Sequence, residues 1–293
     1  MFKNMEIRCR CVGPCEHKSL EHTVKPELFE RSPVFKTEHF KEQPSLENYI
    51  DDIVSKELNN GVKKHISKID DSVNFRYNSF NLCVGPQGSS KTTSVMKELM
   101  KLSLIPHDYH MMIYVTNNAS DDSFNSLLKY INIPCVKCTY EDMDDKFELL
   151  FKMKDDYNSM VEGKIPVNQN ILDALCIDDF SKSRIHTFIL FDDASFIFDK
   201  KTKSKFKSWF TQLRHFNCTV FACIQIWGSL DVQLKTQLSS VYLYRGFSRE
   251  RLQFIYRQLP IDMGFEQFFD LYKNLPKYKK IVIDCLESSV KIV

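Results

Sequence analysis

The sequence predicts an α/β fold built on a mainly parallel central sheet flanked by helices, and three observations carry that reading. Five short, mostly apolar runs of strand length recur between Phe80 and Tyr244. Segments with apolar residues at helical spacing separate them. The runs show little polar alternation, which marks strands covered on both faces, as in parallel sheets.

Taken in order, residues 1–45 are rich in charge and proline, show no clear period, and read as an extended arm or small appendage. Leu46, Tyr49, Ile50, Ile53 and Leu58 then fall on one helical face, and Asn59-Asn60-Gly61 interrupts it. This divides the chain into an arm over 1–72 and an organised domain over 73–293. Phe80-Asn81-Leu82-Cys83-Val84 is the first strand. Val95, Met96, Leu99, Met100 and Leu104 recur at helical spacing until Pro106 stops the helix. Further strands are expected at 111–115, 187–191, 219–224 and 241–244, with helices around 204–214 and 249–258. The runs at 280–284 and 290–293 suit a terminal hairpin or edge strands.

Composition excludes some classes. The 293 residues are 43% hydrophobic and 27% charged, ordinary for a soluble globular chain with one substantial core. A formal net charge of +2 does not by itself point to nucleic acid. The first eight residues lack the apolar core of a signal peptide, and no run reaches the ~18 apolar residues of a membrane-spanning helix. The expectation is a soluble chain, with no membrane partner, in a compartment that keeps thiols reduced. Its ten cysteines then read as core residues or metal ligands.

The first strand runs into Gly85-Pro86-Gln87-Gly88-Ser89-Ser90-Lys91-Thr92-Thr93, and a helix follows. Strand, glycine-bearing loop, Lys-Thr and helix in that order are the context of a phosphate-binding loop. Backbone N–H groups and the positive end of the helix dipole cradle a β-phosphate, and Gly85 and Gly88 permit backbone that a Cβ would hinder. Lys91 reaches the β and γ phosphates, and the Thr92 hydroxyl is a Mg²⁺ ligand. One position departs from the pattern: Ser90 stands where glycine is usual before the lysine. The plainer alternative is a glycine-containing turn with an incidental lysine.

Phe188-Ile189-Leu190-Phe191-Asp192-Asp193 delivers two acids to the end of a buried strand. Asp192 is placed to hold Mg²⁺ through water, and Asp193 to orient and deprotonate the attacking water. The alternative is that both merely cap a following helix. Two spacing features refine the class. The strand at 111–115 lies between the loop strand and the acid strand, and the strand after the acids ends in Gln225. Gln225 either senses the γ-phosphate or is a satisfied core amide. This is the layout of P-loop NTPases with an additional catalytic acid.

With these parts in order, the chain resembles the genome-packaging ATPases of large eukaryotic DNA viruses and virophages, the poxvirus-type members of the FtsK–HerA superfamily. The resemblance covers about 79–254 and rests on the Gly-x-x-Gly-Ser-x-Lys-Thr-Thr loop, Leu190-Phe191-Asp192-Asp193, Arg214-His215 and the strand ending in Gln225. It implies a homo-oligomeric ring, a pentamer or hexamer, that hydrolyses ATP and drives double-stranded DNA into a capsid. It also implies capsid-protein partners, a host-cytoplasmic or virion location, and an arginine supplied by a neighbouring subunit. Arg214 is the first choice for that role and Arg245 the second; an internal salt bridge is the alternative for Arg214. Where the family often has an Arg–Asn pair after Gln225, this sequence has Lys235 and Gln237, so nothing is carried over there. Competing functions are a nucleoside-type kinase, which needs an arginine-bearing lid, a nucleotide-binding structural protein with little turnover, and a cellular motor of the same superfamily.

Three further groups remain. Lys200, Lys201, Lys203, Lys205 and Lys207, interleaved with Phe206, Trp209 and Phe210, suit a DNA-tracking surface or, more plainly, a solvated helix face. Cys9, Cys11, Cys15 and His17 form a candidate Zn²⁺ set, although the usual pair of separated ligand pairs is missing. Cys135 and Cys138 read as core cysteines rather than a redox pair.

Overall fold

In β1 (Phe80–Val84), β4 (His186–Phe191) and β5 (Cys218–Ile224) every residue is buried, so these strands need cover on both faces. The computed structural model describes residues 75–103, 110–117, 125, 127–128, 130–131, 133–175, 177, 180, 184–195 and 216–293. The arm over 1–72, the candidate zinc ligands Cys9, Cys11, Cys15 and His17, the lysine cluster at 200–207, and Arg214 lie outside the described residues. The remaining elements are α1 (Lys91–Ser103), β2 (His110–Val115), β3 (Cys135–Cys138), α2 (Met143–Val161) and α3 (Gln169–Ala174). After β5 come α4 (Val232–Lys235), β6 (Ser240–Leu243), α5 (Arg249–Tyr256), α6 (Phe265–Lys273), β7 (Ile281–Asp284) and β8 (Ser289–Ile292).

Among the described residues, eight strands form one sheet in the order β3-β2-β4-β5-β1-β6-β7-β8. The pairs from β3 to β6 are parallel, and β7 and β8 add antiparallel at one edge as a hairpin. Alternate residues of each strand feed opposite cores, as the two-residue period requires. Leu82, Val84, Ile189, Phe191, Val220 and Ala222 meet α2, α5 and α6 through Phe147, Leu150, Leu252 and Phe268. Cys83, Leu190, Phe221 and Cys223 meet α1 through Val95, Met96, Leu99 and Met100. Cys135 and Cys138 are buried in β3, and burial pushes the Cys138 thiol up to about 12, so both are core residues.

Sequence order and sheet order differ around the acid strand. The strand set between the loop strand β1 and the acid strand β4 is β5, while β2 (the 111–115 run) lies on the far side of β4. Sequence order placed 111–115 between the two; spatial order is decided by crossovers, and the strand that ends in Gln225 takes that place.

Candidate functional site

The parallel register brings the C-terminal ends of β1, β4 and β5 to one edge. Phe191 pairs with Ala222, and Val84 with Ile224. The chain leaves β1 as a tight turn, with the Gly85 N–H donating to the Ile224 carbonyl at 3.2 Å and the Ser89 N–H to the Pro86 carbonyl at 3.3 Å. Gly85 is required by space, because a Cβ there would fall 2.5 Å from Ser89 Oγ and 2.8 Å from Tyr244 Cβ. Gly88 and Ser90 both hold left-handed backbone, at φ 72° and 66°. Ser90 thus keeps the conformation that glycine adopts freely, at a cost of roughly 1–2 kcal/mol for an L-residue. Its carbonyl accepts the Ser94 N–H at 3.0 Å and opens α1.

Lys91 is buried, and its ammonium donates to the Gly85 and Pro86 carbonyls at 3.0 and 2.9 Å. Behind the loop, α1 is fastened to the sheet by Lys280, whose Nζ donates to Ser94 Oγ at 2.6 Å and lies 3.7 Å from Glu98. The Lys280 and Glu98 side chains are almost wholly buried, so the loop rests on a fixed base.

Asp192 and Asp193 follow β4, and their side chains do different things. The Thr92 hydroxyl donates to Asp192 Oδ1 at 2.5 Å, and the Tyr114 hydroxyl donates to Oδ2 at 3.1 Å. The Asp192 N–H bonds the Val115 carbonyl at 2.9 Å, and the Tyr140 hydroxyl bonds the Asp192 carbonyl. Burial, and then the nearby Asp192 carboxylate, push the Tyr140 phenol well above its usual value, so it stays a donor. Asp193 is exposed and left-handed at φ 51°. That turn aims its carboxylate across to β5, where Oδ1 accepts from Gln225 Nε2 at 2.8 Å. The Gln225 backbone N–H donates to Ser195 Oγ at 3.0 Å, which anchors the chain at that residue.

The residues expected to act on a nucleotide, Lys91, Thr92, Asp192, Asp193 and Gln225, therefore meet at one edge. Of the two arginines named from sequence, Arg214 is not described, and Arg245 is exposed just beyond β6, on the loop's other side. Sequence reasoning missed Tyr114, Tyr140 and Gly246. A Cβ on Gly246 would fall 2.6 Å from Pro86 Cγ, and its φ is 114°, so glycine is needed there to seat the turn after β6 on the loop. No sequence spacing announces these contacts, although an isolated glycine after a strand was a usable signal for Gly246.

Among the described residues no group of three or more His, Cys, Asp or Glu side chains could hold a metal ion. No helix of the described residues is long and apolar enough to cross a membrane.

No family model matches the sequence, and no curated protein matches it. Solved structures do. The genome-packaging NTPase B204 of Sulfolobus turreted icosahedral virus 2, in complex with ATP-gammaS, is 17% identical, with 73% of this chain and 96% of that chain covered, at a TM-score of 0.50. B204 described as the DNA-packaging ATPase of Sulfolobus turreted icosahedral virus is 16% identical, covering 74% and 98%, at a TM-score of 0.49. The cytoplasmic domain of the Thermomonospora curvata type VII secretion ATPase EccC is 16% identical, covering 73% of this chain and 25% of that one, at a TM-score of 0.49. The chain thus shares its mainly parallel, helix-flanked α/β fold with the structure described as the genome-packaging NTPase B204.

Proposed function

We propose that this chain is an ATP-driven translocase of double-stranded DNA that packages a viral genome into a preformed capsid, acting as a homo-oligomeric ring. The observation that carries the reading is the Asp193–Gln225 hydrogen bond at 2.8 Å, made one strand away from the phosphate loop. A carboxylate paired with an amide on the neighbouring strand suits the positioning of water, and a kinase that transfers phosphate to a small molecule does not need it.

In this reading the backbone of Gly85, Pro86, Gln87, Gly88, Ser89, Ser90, Lys91, Thr92 and Thr93 wraps the phosphates of ATP. Lys91 exchanges the Gly85 and Pro86 carbonyls for β and γ phosphate oxygens. The Thr92 hydroxyl and Asp192 carboxylate, 2.5 Å apart, are hard oxygen donors of the kind Mg²⁺ takes, so the pair fits that ion. When bound, the ion neutralises charge on the phosphate oxygens. Tyr114 holds the other Asp192 oxygen and keeps the carboxylate aimed at Thr92. Asp193 accepts the proton of the attacking water, and Gln225 keeps Asp193 oriented and contacts the γ-phosphate. Arg214 of a neighbouring subunit completes the site. Capsid proteins are the further partners, and the host cytoplasm and the virion are the places of action. The shared fold with a protein named for genome packaging supports this reading.

The test is ATP hydrolysis with and without double-stranded DNA, at a protein concentration that permits assembly, for the intact chain and for Asp193→Asn. The expected outcome is stimulation by DNA that vanishes in the variant, with turnover down about 10²–10⁴-fold, the usual worth of a positioned base. An assembled chain that hydrolyses ATP with no response to DNA would remove the translocase assignment and leave only a nucleotide hydrolase.

A further inference from the structure

The residues proposed to act in hydrolysis lie on the side of the loop that faces β4 and β5. The opposite side is also built. Gly85 packs so closely on Tyr244 that a Cβ would meet Tyr244 Cβ at 2.8 Å, and Gly246 packs as closely on the Pro86 ring. The Tyr244 N–H donates to the Val84 carbonyl at 3.0 Å, which extends the β1–β6 pairing to the start of the loop. The turn is then bolted by one buried side chain. The Tyr272 hydroxyl donates to the Tyr244 carbonyl at 2.7 Å and accepts the Phe247 N–H at 2.9 Å. Burial pushes the Tyr272 phenol upward, so it stays protonated and can fill both roles.

A turn held this firmly by glycine contacts and a tyrosine bolt is a rim with fixed geometry, which lowers the ordering cost of binding. It presents Arg245, Gly246 and Ser248 as exposed residues beside half-buried Pro86 and exposed Gln87. Direction follows from topology. The hydrolytic residues Asp193 and Gln225 mark the terminal-phosphate end, over β4 and β5. The strand order then runs through β1 to β6, three spacings of about 4.8 Å, or roughly 14 Å in all. That span is of the order of an extended nucleoside triphosphate. A ligand with its phosphates on the loop and its last phosphate at Asp193 carries its nucleoside out over the β6 turn.

We propose that the turn from Tyr244 to Ser248, seated on Pro86, is the nucleoside end of the site, and that Arg245 covers the base. The guanidinium is planar, always charged and weakly hydrated, so it stacks on an aromatic base and donates to its edge or to the ribose. The proposal rests on the nucleotide-site reading above. It also assigns Arg245 to its own subunit's nucleotide rather than to a neighbour's.

The experiment measures equilibrium binding of ATP and of inorganic tripolyphosphate to the full chain, to Arg245→Ala and to Lys91→Ala. Tripolyphosphate carries the phosphates without a nucleoside. The expected result is that Arg245→Ala weakens ATP about fivefold or more, the size of a stack at a partly exposed site, and leaves tripolyphosphate unchanged. Lys91→Ala is expected to weaken both. Equal loss of both ligands in Arg245→Ala would show that the arginine serves phosphate, and overturns the proposal. Unchanged binding of both, with Lys91→Ala still impaired, also overturns it and leaves the phosphate loop standing. Binding of both ligands unaffected by Lys91→Ala would instead sink the nucleotide-site reading on which the proposal depends. Arg245 is exposed, so the alanine variant is expected to fold.

Discussion

Two residues of the site sit in backbone conformations that L-residues usually avoid: Ser90 at φ 66° and Asp193 at φ 51°. Such strain persists where surrounding structure over-determines it, and it clusters at functional positions. For Asp193 the reward is visible, because the left-handed turn points the carboxylate at Gln225 instead of along the strand. For Ser90 the surroundings are the loop and the first turn of α1, and the residue is exposed. Ser90→Gly should therefore relieve about 1–2 kcal/mol of native strain, offset by the roughly 0.5–1 kcal/mol that glycine adds to unfolded-chain entropy. The expected net effect is an unfolding free energy higher by up to about 1.5 kcal/mol, read as a higher urea midpoint. Ser90→Val should move it the other way, since a β-branched residue tolerates left-handed backbone least. A lower midpoint for the glycine variant would contradict the conformational account.

At the scale of elements, the geometry of the site depends on the register between β4 and β5, and that register is fixed at the opposite end of the strands. There His186 bridges two partners: Nδ1 lies 3.0 Å from Asn217 Oδ1 and Nε2 lies 2.9 Å from Thr219 Oγ1. The Asn217 amide donates to the Ile185 carbonyl at 3.0 Å, so its oxygen faces the ring and Nδ1 is the donor. Lys154, 1% exposed, reaches from α2 to donate to Thr187 Oγ1 at 3.0 Å and the Asn217 carbonyl at 3.1 Å, and it also bonds the Phe216 carbonyl. Burial lowers the His186 pKa to about 3 against an Asn217 hydrogen bond that raises it, with Lys154 and His110 adding repulsion. The sign follows from the unfolded value near 6.5: the unfolded chain takes the proton first as pH falls. His186 therefore contributes full stability above about pH 6.5 and loses it progressively down to about pH 3. Between pH 6.5 and 5 the unfolding free energy should fall by up to about 1.4 kcal/mol per pH unit from this residue. Urea titrations of the intact chain and of His186→Gln should differ in that slope by about one proton, and identical slopes would refute the assignment.

At the scale of the whole molecule, the proposed ring makes the active site a property of the assembly. Arg214 is assigned to act across the subunit boundary, so one chain can supply Asp193 while its neighbour supplies the arginine. Asp193→Asn and Arg214→Ala, each inactive alone, should regain part of the DNA-stimulated ATPase activity when mixed and allowed to assemble. Recovery arises at boundaries where an intact Asp193 meets an intact Arg214. If mixtures stay inactive while light scattering shows mixed rings, Arg214 works within its own chain. DNA binding by such a ring should also weaken steeply as salt rises, since contacts to phosphate release counterions.

By itself the sequence determined what is local. Apolar runs gave β1, β4, β5 and β6 nearly to the residue, because burial on both faces demands uninterrupted apolar chain. The places of the loop from Gly85 to Thr93, between β1 and α1, and of Asp192 and Asp193, at the end of β4, were legible because each adjoins a buried apolar strand within one segment. Tertiary structure alone decided which strands are neighbours. It set β5 beside β1, where sequence order had suggested the 111–115 strand, and so brought Gln225 onto Asp193. It also supplied Tyr114 to Asp192, Tyr272 to the β6 turn and Gly246 to Pro86. Those contacts join residues 25 or more positions apart, and no spacing rule along a single chain displays them. Their partners are chosen by how crossovers pack helices on the two faces of the sheet, and that choice is made only when the chain folds.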